Sequence, residues 1–158
     1  MGGKYLETMA CDLIEKEFLV IGNSTTANFP DSFPEAAIRV QQDFEEKREQ
    51  VTNAVDKNVL ISPYMSNEIM TTYFACLEVT SLDTIPAGMC GFKIPVTKYA
   101  RVTCTNRTIN NAYTVVFDWI KEKGFNQKRF SSSFPIEIYY LTEKEEEEVV
   151  EILIPLEG

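Results

Sequence analysis

A carboxylate stands between two isoleucines in the stretch Phe134-Pro-Ile-Glu-Ile-Tyr-Tyr-Leu141. The surrounding residues are β-prone, so the stretch reads as a strand over about 134–142. Side chains alternate along a strand, which puts Glu137, Tyr139 and Leu141 on one face and Ile136, Ile138 and Tyr140 on the other. Glu137 therefore sits either on a solvated face or towards a pocket. A buried carboxylate without a partner costs several kcal/mol. A pocket that retains one favours cations, or uses the group as a proton donor or base.

Aromatic residues are the second source of chemistry. Phe18, Phe44 and Phe117 are expected in the core. Tyr64, Tyr73, Trp119 and Tyr139 are better ligand candidates, because each has an amphipathic ring in a strand or away from the centre of a helical stripe. An aromatic face attracts a cation with roughly 0.5–2 kcal/mol. Glu78 also lies among apolar residues, and exposure is the expected reading for it.

Several chemistries are excluded. The chain has no histidine, so neither a Ser-His nor a Cys-His nucleophile pair exists. Cys11, Cys76, Cys90 and Cys104 are scattered, with no Cys-x-x-Cys pair, and no metal site is expected. They are expected buried and reduced. No glycine-rich phosphate loop is present, and no cofactor is expected. A net charge of −9 argues against direct nucleic-acid binding and suits a cationic ligand better than an anionic one. No apolar run reaches the roughly 20 residues of a membrane span, and no signal-peptide core is seen, so a cytoplasmic location is the default expectation.

These residues must be positioned by a chain of 158 residues, enough for one domain with a real core. Residues 1–16 have an apolar scatter (Leu6, Met9, Leu13, Ile14) compatible with a helical turn or two. A strand follows at Glu17–Gly22, then a loop. Ser32 is a candidate cap for a helix over about 34–51, with Ala37, Val40, Phe44 and Val51 at helical spacing. Strands are expected at 59–65, where Pro63 suggests an edge or bulge, and at 72–81. The Pro- and Gly-rich stretch to Pro95 reads as a crossover, and 96–105 as a strand. Thr108 caps a second helix with Ile109, Ala112, Tyr113, Val116, Phe117 and Ile120 as its stripe, stopped at Gly124. Phe130 to Ser133 is a polar approach to the Glu137 strand. Lys144 to Glu148 is a turn, and 149–155 the last strand. Strand, helix, strand, strand thus occurs twice, predicting an α+β domain (1–158) with module one at about 17–82, a linker at about 83–95 and module two at about 96–156.

The second half resembles a known family. Ile94-Pro-Val-Thr-Lys-Tyr-Ala, Trp119-Ile with Gly124-Phe, Pro135-Ile-Glu-Ile-Tyr and Glu151-Ile-Leu-Ile-Pro occur in the order and spacing of GyrI-like small-molecule-binding domains, the effector-binding domains of AraC- and MerR-type multidrug regulators. The resemblance implies two pseudo-symmetric modules with antiparallel sheets and a ligand cleft between them. Glu137 would point into the cleft, with Tyr139, Trp119, Tyr64 and Tyr73 as aromatic lining. Nothing before residue 17 is long enough for a helix-turn-helix, so a stand-alone sensor or sequestering protein for hydrophobic, cationic molecules is expected. The resemblance also implies two alternatives. One is a hydrolase of cyclopropane-containing electrophiles using Glu137, and the other is a gyrase-inhibitor-type interaction module.

Overall fold

In the computed structural model, which describes residues 9–128, 134–142 and 147–157, the apolar and alternating runs become six strands and two helices. In chain order these are β1 (Cys11–Asn28), α1 (Glu35–Glu45), β2 (Val59–Ser66), β3 (Met70–Glu78), β4 (Cys90–Thr105), α2 (Ile109–Glu122), β5 (Ile136–Tyr140) and β6 (Val149–Pro155). The fold is α+β with antiparallel pairing, and the strand–helix–strand–strand order occurs twice. Two compact units result. The first is Phe18–Lys93, and the second combines the chain up to Glu17 with the chain from Ile94 onward.

In the first unit β3 lies between β1 and β2, with Ile21 opposite Leu77 on one side and Leu60 opposite Leu77 on the other. One β3 face carries Tyr73, Ala75, Leu77 and the following Val79, all buried. Helix α1 reaches that face, its Gln41 bonding Tyr73, and buries Val40 and Phe44. The β2–β3 hairpin turns at Asn67, whose Oδ1 accepts from the Ile69 and Met70 amides at 2.7 and 2.9 Å.

In the second unit β6 lies between β4 and β5. Register places Val102, Ile152 and Glu137 in one row and Cys104, Val150 and Tyr139 in the next. Ala112, Val116 and Ile120 of α2 close over Ala100, Val102, Cys104, Val150, Ile152 and Ile154 to make the core. Gly124, at φ 74°, ends the helix: its N–H reaches the Lys121 carbonyl and that of Phe125 the Ile120 carbonyl, both within 3.1 Å. A polar chain crosses the opposite sheet face. Arg101 holds Asp12 through Nε and Nη2 at 2.9 and 2.6 Å and approaches Glu151, to which the Tyr140 hydroxyl donates.

Several expectations change. The first residues described are extended, not helical: β1 begins at Cys11 and continues past Gly22 to Asn28. Its polar end is a strand because β-branched Thr25 and Thr26 pair in register with Tyr73 and Thr72. Helix α1 stops at Glu45, and Arg48–Gln50 tightens into a 3-10 turn. No basic residue lies in its last turn to meet the negative end of the helix dipole. Its N-cap is Pro34, with no side-chain cap bond, so Ser32 does not cap. Thr108 occupies the N-cap position of α2, but its hydroxyl accepts from the Thr105 amide at 3.0 Å instead of capping. Strand β4 begins at Cys90, inside the stretch read as a linker. Across Pro63 the β2 register is unchanged, so no residue is bulged out. Phe117 is 39% exposed rather than core, and Cys90 is exposed while Cys76 and Cys104 are buried. Glu78 is half-buried. Leu6, the approach 130–133 and Lys144 to Glu146 lie outside the described residues.

Candidate ligand-binding site

Glu137 is 9% exposed, and the face it occupies is the one that α2 covers. It is thus neither solvated nor on a bare sheet surface. Both carboxylate oxygens are engaged by phenols. Tyr113, from α2, donates to Oε2 at 2.5 Å, and Tyr139, two residues along β5, donates to Oε1 at 2.7 Å. Hydrogen bonds to an ionised group contribute about 1.5–3 kcal/mol each, enough together to offset the several kcal/mol of burial. Helix geometry continues the aromatic wall: Phe117, one turn beyond Tyr113, stacks on it with ring centroids 6.0 Å apart at 28°.

Cys104 belongs to the same neighbourhood, one row from Val102 along β4. Burial pushes its thiol up to about 12, and the Glu137 charge pushes it the same way. The thiol is consequently protonated at neutral pH and is no nucleophile. Among the described residues no group of three or more Cys, Asp or Glu could hold a metal ion.

The structure brings Glu137 and Tyr139 together as their shared face requires. Trp119 is placed differently. It packs against the helix–sheet core and tilts against Phe125 at 5.8 Å. Tyr64 and Tyr73 lie in the first unit, directly opposite each other on β2 and β3, with rings stacked 6.2 Å apart at 14°. Gln41 Nε2 donates to the Tyr73 hydroxyl at 3.1 Å. Sequence reasoning missed Tyr113 and Gln41. Tyr113 falls within the apolar stripe of α2, although a buried tyrosine hydroxyl needs a polar partner and the strand glutamate is a ready one. Gln41 lies off the apolar spacing of Ala37, Val40, Phe44 and Val51, and that spacing is the only mark of the buried side of its helix.

With this geometry, residues 14–156 match the family Cass2, integron-associated effector binding protein. The chain belongs to that family. No curated protein sequence matches it, but solved structures agree in fold over nearly the whole chain. SAV2435 bound to tetraphenylphosphonium superposes with TM-score 0.72 at 16% identity, covering 95% of each chain. The EcmrR C-terminal domain gives 0.69 at 16%, covering 96% of this chain and 99% of its own. The Vibrio cholerae integron cassette protein VCH_CASS2 gives 0.60 at 18%, covering 93% and 95%. At these identities the structures show a shared fold, and that fold is the GyrI-like one. Among the described residues no helix of this effector-binding protein is long and apolar enough to cross a membrane.

Proposed function

We propose that this effector-binding protein captures hydrophobic, cationic aromatic molecules, with Glu137 as the counter-charge and Tyr113 and Tyr139 as its aromatic surround. The observation that carries the reading is the buried carboxylate held by two phenols. Each phenol serves twice, since its hydroxyl orients the carboxylate while its ring faces attract a cation. The net charge of −9 concentrates cations near the surface before they bind. That SAV2435 is seen with tetraphenylphosphonium supports the same ligand class here. Tyr64 and Tyr73 form an aromatic pair of the kind that receives flat rings, and Trp119 serves the core that backs the Glu137 strand.

The test compares two ions of one shape and opposite charge. Tetraphenylphosphonium should bind, and tetraphenylborate should bind at least tenfold more weakly in calorimetric titrations. The preference should survive in 0.5–1 M salt, because screening over roughly 3–5 Å removes surface attraction but little of a buried contact. Equal affinity, or a preference that salt abolishes, contradicts the reading. Turnover of a cyclopropane-containing electrophile that is lost in Glu137→Gln while binding persists would make Glu137 a general acid or base instead.

A further inference from the structure

Asn23, Ala75 and Ser62 form one row across β1, β3 and β2. Register pairs Asn23 with Ala75, and the unchanged register on either side of Ser62 sets Ser62 opposite the same alanine. Ser62 is 0% exposed, yet its Oγ has no hydrogen-bond partner among the described residues, and neither has the buried Asn23 Oδ1. The Asn23 amide is orientated by Nδ2, which donates to the Gly88 carbonyl at 3.0 Å, so the end left over is the acceptor. Two orphaned oxygens in one row, separated by a methyl group, are costly to leave unmet. The adjacent row along the strands is Thr25, Tyr73 and Tyr64, with the two tyrosine rings stacked.

We propose that this row is a neutral ligand subsite of the first unit, taking the O–H or N–H group of a phenol-like or arylamine-like ring. Strands spaced about 4.8 Å apart put the Asn23 and Ser62 backbones about 10 Å from each other. A single donor atom seated over Ala75, midway along the row, is the arrangement that would meet both oxygens. Asn23 Oδ1 only accepts, whereas the Ser62 hydroxyl donates or accepts, so the inserted atom must carry at least one hydrogen. A full cation does not suit a row without a charged side chain, because an unpaired buried charge costs far more than a neutral group. The ring bonded to that atom extends along the strands towards the Tyr64–Tyr73 pair, whose row lies about 7 Å away. The row differs from Glu137 in charge and in the unit that carries it.

Phenol and toluene, which differ in the hydroxyl and a methyl, are the probes, titrated into the isotope-labelled protein by NMR. Phenol should shift the amides around Asn23, Ser62, Tyr64 and Tyr73 and bind about tenfold more tightly than toluene, the preference expected of one buried hydrogen bond. In Ser62→Ala the preference should fall towards parity with the fold intact, since the substitution removes a buried hydroxyl that has no partner. Glu137→Gln should leave phenol binding unchanged, which separates this proposal from the cation reading. Equal affinity for the probes, shifts confined to other residues, or a preference undiminished in Ser62→Ala overturns it.

Discussion

Glu137 remains inside a helix–sheet interface because the two phenols that reach it come from different elements. Tyr139 follows from the strand period, being two residues away on the same face. Tyr113 depends on α2 packing over β5, and that pairing spans 24 positions in sequence. This explains what was legible at the residue scale. The carboxylate and its strand neighbour could be read from alternation alone, while the helix donor could be named only once the helix had a place. Removing that donor should be costly. Tyr113→Phe is expected to lower unfolding stability by about 1.5–3 kcal/mol, since a buried carboxylate loses one of its hydrogen bonds. Urea denaturation measures it, and an unshifted midpoint would mean that the bond holds nothing in place.

Strand β4 illustrates both the reach and the limit of sequence reading at the scale of elements. Its second half was expected as a strand, but its start at Cys90 was hidden among glycines and prolines that usually break structure. Pairing with neighbours, which composition does not report, decides such boundaries. The same holds for the polar end of β1. For α1 the apolar spacing through Val51 suggested a longer helix, and Val51 is indeed buried, but from a position beyond the 3-10 turn. Strand β4 also sets an alkaline limit on the fold. Burial raises the Tyr99 phenol from 10.0 to about 12, and burial with the Glu137 charge raises Cys104 from 9.0 to about 12. Both groups hold their protons more tightly when folded, so their contribution is fully present below about pH 9. It is lost progressively between the unfolded values and about pH 12, because deprotonation favours the unfolded chain. The urea midpoint should therefore fall over this interval, and more gently in Cys104→Ala. A wild-type midpoint flat from pH 9 to 12 would contradict the assignment.

At the scale of the whole molecule, the twofold strand–helix–strand–strand order was the most legible property, since it rests on long periodic segments and glycine and proline punctuation. Each unit has its own polar feature within a helix–sheet arrangement. One holds a carboxylate between phenols, and the other a neutral row beside a tyrosine stack. Membership of the integron-associated effector-binding family fits a chain whose distinctive chemistry lies in buried groups suited to small molecules. The central claim is that the Glu137 charge selects cationic ligands. Calorimetric titration of tetraphenylphosphonium into wild type and Glu137→Gln, which keeps shape and removes charge, tests it most directly. Affinity for the cation should fall at least tenfold in the variant, about 1.4 kcal/mol or more, with weak tetraphenylborate binding unchanged or improved. Equal affinity of the two proteins for the cation would contradict it.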